Sequence, residues 1–195
     1  MFDERRLVVL SGPAGSGKDT VLAQLKQIRS DIRKSVSCTT RKKREGEQEG
    51  INYYYVDKDE FDRRLQNGEL LEYTQYAGNY YGTPISELEK RLADGGTMVL
   101  VIEVEGAGNI KKKYPNALTV FVQPPSLDEL RSRINFRGTE TSEEIERRLA
   151  IAQQELKHRS EYDFVLINDD VNRCAKELSD IIDNWQKTDC SKKGE

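Results

Sequence analysis

The residues best suited to chemistry stand near the amino terminus, where Gly12-Pro13-Ala14-Gly15-Ser16-Gly17-Lys18 follows the apolar run Leu7–Leu10. A helical pattern through Leu22, Leu25 and Ile28 comes next. Strand, glycine loop, lysine and helix together make the P-loop arrangement G-x-x-x-x-G-K. Glycines let successive backbone N–H groups turn toward one point, and the helix N-terminus adds positive potential there. Lys18 supplies a point charge for the outer phosphates. The expected occupant is a nucleoside triphosphate held by Gly12, Pro13, Ala14, Gly15, Ser16, Gly17, Lys18, Asp19 and Thr20. A glycine-rich turn that merely caps a helix is the bland alternative; the strand before it and the helix after it argue against that.

The motif departs from its pattern at one place. The residue after the lysine is ordinarily Ser or Thr, whose hydroxyl binds magnesium, but here it is Asp19, with Thr20 one position later. A carboxylate is also a hard oxygen ligand for magnesium. It brings negative charge close to phosphate, a cost that the metal must offset.

Two further groups carry chemistry. Arg41-Lys42-Lys43-Arg44 is a basic cluster in a segment that also holds Tyr53 and Tyr81. Paired arginines offer forked donors to a phosphate dianion. On composition alone the cluster reads also as a solvated basic turn, and Glu72 as a strand-edge surface glutamate. Arginines 131, 133, 137, 147, 148 and 159 lie on a charged helical pair broken at Arg137-Gly138-Thr139-Glu140-Thr141, which suggests a mobile lid.

These groups need a scaffold. The patterning predicts a strand at Leu7–Leu10, a helix over 18–29, and then a β-rich insertion with an aromatic strand at Tyr53–Val56. A short helix around Phe61 and Leu65 ends at Asn67-Gly68, and strands follow at 70–73 and 78–82. Beyond a helix at 85–93, Thr97–Ile102, Leu118–Val122 and Phe164–Ile167 are unbroken apolar runs, as expected of strands buried on both faces. Strands alternating with helices predict an α/β fold, a parallel sheet with helices on both faces and sites at the strands' carboxyl ends.

The 195 residues make one expected domain. Its core is 1–34, 84–125 and 160–190, with 35–83 an inserted subdomain, 126–159 the lid and 186–195 a flexible tail. No apolar run approaches the ~20 residues that span a bilayer, and a net charge of −3 provides no field toward nucleic acid. No signal peptide is evident, and Cys38, Cys174 and Cys190 match no disulfide or metal spacing, so a cytoplasmic setting is expected. The single histidine, His158, reads as a helix-surface residue. Monomer and homodimer both stay open.

Ser11–Lys18, Ser35–Glu47, Gly78–Thr83, Arg137–Thr141 and Ile167–Asp170 together resemble the guanylate kinase family, nearly end to end. The resemblance implies a P-loop core, a GMP-binding subdomain and a helical lid. It implies the reaction ATP + GMP ⇌ ADP + GDP, extended to dGMP, with Mg2+ accompanying ATP. It places Arg41, Arg44, Tyr53 and Tyr81 on the GMP phosphate, and Glu72 on the N–H and NH2 donors of guanine. It places Ser37 and Thr83 on the base, and Glu103 beside GMP. Arg137 and Arg148 fall on the ATP phosphates, Arg133 is a lesser candidate, and Asn168 falls in the adenine-side loop. Lys18, Arg41, Arg137 and Arg148 form the implied catalytic set. The family pattern of aspartate, apolar, aspartate after the central strand is here Val101-Ile102-Glu103, so one acid near magnesium is missing. The expectation is that Asp19 makes up for it. A silent binding module for phosphopeptides and a P-loop kinase with another acceptor are the two other readings.

Overall fold

The computed structural model describes residues 2–76, 78–92, 95–135 and 142–188. In chain order its elements are β1 (Leu7–Ser11), α1 (Lys18–Ile28), β2 (Ile32–Lys34), β3 (Cys38–Thr39), β4 (Tyr54–Tyr55), α2 (Lys58–Gln66), β5 (Leu70–Tyr76), β6 (Asn79–Pro84), α3 (Ile85–Leu92), β7 (Thr97–Val101), α4 (Val104–Lys113), β8 (Leu118–Gln123), α5 (Leu127–Asn135), α6 (Ser142–Glu155), β9 (Phe164–Ile167) and α7 (Val171–Lys187).

β1 is apolar from Leu7 to Leu10, can be covered on both faces, and takes the middle of a parallel sheet ordered β2-β7-β1-β8-β9. On one face Val8, Leu10, Val99 and Val120 meet Leu22 and Leu25 of α1 and Leu178 and Ile182 of α7. On the other, Leu7, Val9, Met98 and Leu100 meet Leu88 of α3 and Ile110 of α4. Each such side chain contributes about 1.5–3 kcal/mol when fully buried, so the sheet is the rigid part of the molecule. Its register pairs Leu10 with Val101 and Ser11 with Phe121. The chain therefore leaves β1, β7 and β8 at one shared edge, which is where the glycine loop begins.

A second sheet, ordered β4-β3-β6-β5, fills the β-rich stretch and packs on α2 through Cys38, Phe61 and Leu70. Asp57 caps α2 by accepting from the Glu60 N–H at 2.8 Å, and Gly68 with φ 66° closes it. α5 and α6 have an apolar seam of their own in Leu130, Ile134, Leu149 and Ala152.

Three features differ from the sequence reading. β9 is an edge strand paired only with β8, so Phe164, Val165 and Ile167 are 38, 39 and 45% exposed rather than buried on both faces. β2, three residues long with two cations, and α4, which carries Gly106 and Gly108, offered too little pattern to be assigned from sequence. The Tyr53–Val56 run contributes only the two-residue strand β4. Among the described residues no helix is long and apolar enough to cross a membrane.

Candidate active site

The loop from Gly12 to Lys18 is built by backbone conformations that side chains resist. Gly12 has φ 134°, and a Cβ there would lie 2.1 Å from the Val122 carbonyl oxygen of β8. Gly17, with φ 91°, opens α1, and a Cβ there would lie 2.2 Å from Asn168 Nδ2. Asn168 Nδ2 donates to the Ser16 carbonyl at 2.8 Å, and Arg133 donates to the Ser16 and Asn168 carbonyls at 3.4 and 2.9 Å. Asn168 and Arg133 thus brace the loop from behind. Lys18 Nζ donates to the Gly12 and Pro13 carbonyls at 2.5 and 3.1 Å, arching over the loop. Phosphate oxygens can replace those carbonyls as acceptors with little movement of the stem.

Asp19 lines the cleft beside Lys18 and carries an ion pair. Its carboxylate pairs with Lys34 at the end of β2 (2.7 Å) and is 72% exposed. Lys34 had not been singled out; fifteen residues separate the partners, and no local spacing brings them together.

A cleft of about 1170 Å³ connects the loop to the second sheet. It is lined by Lys18, Asp19, Thr20, Arg41, Arg44, Tyr53, Tyr81, Glu103, Arg133, Arg148 and Asn168, so most of the sequence candidates share one space. Arg137 lies outside the described residues, with the rest of Arg137–Thr141.

On the second-sheet side, Arg41 is pinned by a residue not counted among the sequence candidates. Glu47 accepts from Arg41 Nη2 at 2.7 and 3.0 Å, from the Arg44 N–H at 2.8 Å and from the Tyr55 hydroxyl at 2.8 Å. Burial works to raise the Glu47 carboxyl, and these donors outweigh it, holding it at about 2. The Arg41 guanidinium lies 5.4 Å from the Tyr53 ring centroid, and Tyr53 and Tyr81 stack edge to face at 5.9 Å. The signal for Glu47 was its place in the same short loop as the two arginines.

Beside this cluster Glu72 is 5% exposed. Its Oε1 accepts from Thr83 Oγ1 at 2.6 Å, and Thr83 Oγ1 meets Ser37 Oγ at 3.1 Å. Burial pushes the Glu72 carboxyl up to about 7, and the Thr83 bonds only partly offset that. Ser37, Tyr53, Glu72, Thr74, Tyr81 and Glu103 line a cavity of about 20 Å³, one water across. It shares Tyr53, Tyr81 and Glu103 with the large cleft. Gly106 of α4 makes room for the carboxylate: a Cβ there would stand 2.7 Å from Glu72 Oε2. Gly106→Ala is therefore expected to displace Glu72 and weaken, by about tenfold, the binding of a ligand that the carboxylate meets, with a smaller change at the glycine loop; titration of ligands for each end of the cleft checks it.

Six buried side-chain polar atoms lack a hydrogen-bond partner among the described residues: Ser11 Oγ, Ser16 Oγ, Glu103 Oε2, Gln123 Oε1, Glu155 Oε2 and Tyr162 OH. Ser11, Gln123 and Glu103 mark the exits of β1, β8 and β7, and Ser16 is in the loop. Such groups are normally satisfied, and each one left alone costs about 1–3 kcal/mol. Their concentration at the loop marks the place as built for a polar ligand. Burial and the facing Glu103 carboxylate push Glu155 up to about 7, with Lys18 pulling it back.

The arrangement sets backbone amides at one end of the cleft and paired guanidiniums at the other, with a buried carboxylate beyond. Comparison with known proteins points to one family. The guanylate kinase family model matches residues 4–185. The chain is 44% identical over 182 residues to the guanylate kinase of Prochlorococcus marinus subsp. pastoris, covering 93% of this chain and 99% of that one. It is 45% identical over 183 residues to that of Lactococcus lactis subsp. lactis, covering 94 and 89%. The crystal structure of guanylate kinase from Anaplasma phagocytophilum superposes with a TM-score of 0.79 at 36% identity, covering 94% of this chain and 87% of that one. Both the phosphate-binding architecture and the sequence kinship over nearly the whole length thus place this chain in the guanylate kinase family.

Proposed function

We propose that the cleft transfers the γ-phosphoryl group of ATP to GMP, giving ADP and GDP, and that dGMP is also an acceptor. The observation that carries this reading is the buried carboxylate of Glu72 beside the Arg41–Tyr53–Tyr81 cluster, across one cleft from the glycine loop. A carboxylate accepts from both the N1–H and the 2-amino group of guanine; adenine offers no such pair of donors. In this reading residues 35–83 form the GMP-binding subdomain and 126–159 the lid. The intact glycines and Lys18 favour a working kinase over a binding module, and Glu72 favours GMP over a sugar phosphate.

The chemistry needs no covalent intermediate. A phosphate oxygen of GMP attacks the γ-phosphorus of ATP, a P–O bond forms there, the bond to the β–γ bridging oxygen breaks, and ADP leaves with that electron pair. The nucleophile is already an anion, so no strong general base is required. The loop amides and Lys18 hold and neutralise the donor phosphates. Arg148, and Arg137 beyond the described residues, add positive charge from the lid. Arg41, oriented by Glu47, and Arg44, Tyr53 and Tyr81 aim the acceptor. Ser37 and Thr83 flank the base, and closure excludes water that would otherwise hydrolyse ATP. Magnesium would supply charge neutralisation for the donor phosphates; Asp19 and Glu103, hard oxygen ligands that line the cleft beside Lys18, are the residues that would hold it.

Glu72 makes GMP binding pH-dependent. Its carboxyl ionises near pH 7 in the free protein, and only the carboxylate accepts both guanine donors. KM for GMP is expected to be about twentyfold higher at pH 6 than at pH 8, tenfold of it from Glu72. Part of the rise near pH 6 comes from the nucleotide phosphate, whose second ionisation is also near about 6. Glu72→Gln removes the Glu72 share and leaves the phosphate share, so comparing the two profiles isolates it.

A compound that joins adenosine and guanosine through one chain of 5′-phosphates tests the face-to-face arrangement. It is expected to compete with both ATP and GMP; competition with only one of them would contradict the reading.

A further inference from the structure

Glu87 is a buried acid that the phosphoryl-transfer chemistry does not use. It sits in the first turn of α3 and is 2% exposed. Its carboxylate collects three donors. Oε2 accepts from the Val36 N–H and from Arg91 Nε, each at 3.0 Å, and Oε1 accepts from the Tyr54 hydroxyl at 3.2 Å. A buried carboxylate is costly unless its oxygens are satisfied in this way. Arg91 belongs to α3 itself, whereas Val36 and Tyr54 come from two distant stretches of chain.

Each stretch that meets at Glu87 carries part of the acceptor end of the cleft. Val36 precedes Ser37, whose hydroxyl meets Thr83 and through it Glu72. Tyr54 follows Tyr53, and its N–H donates to the Ser37 carbonyl at 2.9 Å. α3 begins directly after β6, the strand of Tyr81 and Thr83. Val36 is also where the chain passes from one sheet to the other: the Ser35 N–H donates to the Val99 carbonyl of β7, and Ser37 is already bonded to the second sheet. The chain returns from β6 into α3, which is anchored on the parallel sheet by Leu88. One carboxylate therefore ties together both connections between the sheets.

We infer that Glu87 is a positioning residue for the phosphoryl acceptor: its three hydrogen bonds hold the segments of Ser37, Tyr53 and Thr83 in the mutual placement that the purine monophosphate meets. The inference rests on the GMP reading for the identity of that ligand. The role needs acceptors and not charge as such. In Glu87→Gln the amide oxygen can accept from Val36 and Arg91 while the NH2 donates to the Tyr54 oxygen, so every bond keeps a counterpart; in Glu87→Ala none does.

The test is calorimetric binding of GMP and of ADP, each alone, with a thermal melt of every variant. Glu87→Ala is expected to weaken GMP binding by about tenfold or more and ADP binding by less than about threefold. Glu87→Gln is expected to stay within about threefold of wild type for both ligands. Tyr54→Phe removes one donor and is expected to weaken GMP about threefold; it carries the test if Glu87→Ala does not fold. GMP affinity unchanged in Glu87→Ala or Tyr54→Phe, equal losses of GMP and ADP, or Glu87→Gln as weak as Glu87→Ala would each overturn the inference. Failure of the guanylate kinase reading would show differently, in a wild type that binds no GMP. Amide hydrogen exchange of the free protein then reads the tie without a ligand. The Val36 amide is expected to exchange at least about tenfold faster in Glu87→Ala while the amides of β1 keep their wild-type rates, and an unchanged Val36 rate would overturn the inference.

Discussion

Glu72→Gln is expected to lower kcat/KM for GMP by about 100-fold or more while leaving KM for ATP nearly unchanged. Two charge-assisted hydrogen bonds, each worth about 1.5–3 kcal/mol, reduce to one neutral bond, and the amide NH2 is turned against a guanine donor. Discrimination against AMP falls with it, since a site built for one set of hydrogen bonds rejects ligands that leave its polar groups unpaired. The same substitution changes stability in the opposite direction. The Glu72 carboxyl is held at about 7 in the folded protein, against an ordinary value of about 4.3. The unfolded chain thus releases its proton first as pH rises, and folding loses stability between those values. The accumulated cost above pH 7 is roughly 4 kcal/mol. Glu72→Gln should accordingly melt higher than wild type at pH 8, with the difference shrinking toward pH 5. A variant that loses both activity and stability at pH 8 would show that Glu72 serves packing rather than recognition.

Lys18→Met is the second large effect. Removing the ammonium leaves the loop amides in place, so ATP still binds. The charge that develops as the γ-phosphoryl group moves then has no cation at the loop. A loss in kcat of about 10³-fold is expected, with KM for ATP raised by less than about tenfold. The side chain also ties Gly12 and Pro13 through their carbonyls, so a melt is needed to separate loop disorder from lost charge. Lys18→Arg should not rescue turnover, because a planar fork does not reproduce a compact point charge at that place. A kcat within tenfold of wild type in Lys18→Met would remove the loop from the chemistry.

What was legible in the sequence was what local geometry dictates. Gly12 and Gly17 sit at φ 134° and 91° with no room for a Cβ, so the loop announces itself through residue type. The apolar runs of β1, β7 and β8 identify a parallel sheet because such strands are covered on both faces. The pattern cannot say which strand lies at an edge, and β9 was read as buried for that reason. Partnerships across the fold were hidden in the same way. Asp19 belongs to Lys34, Arg41 to Glu47, and Glu72 to Thr83 and to the space left by Gly106. By residue type alone Glu72 and Glu155 read as two more surface acids in a chain that is 33% charged; only the fold shows them buried. The guanine-binding role of Glu72 entered from the family resemblance, and its burial gives that role a physical basis.

The central claim is that the two phosphate cradles serve ATP and GMP together, and a coupled ADP-release assay across the nucleoside monophosphates tests it most directly. Rapid ADP release is expected with GMP and dGMP, little with AMP, CMP or UMP, and about 10³-fold slower release with Lys18→Met. Release driven by another acceptor while GMP and dGMP stay inert would contradict it.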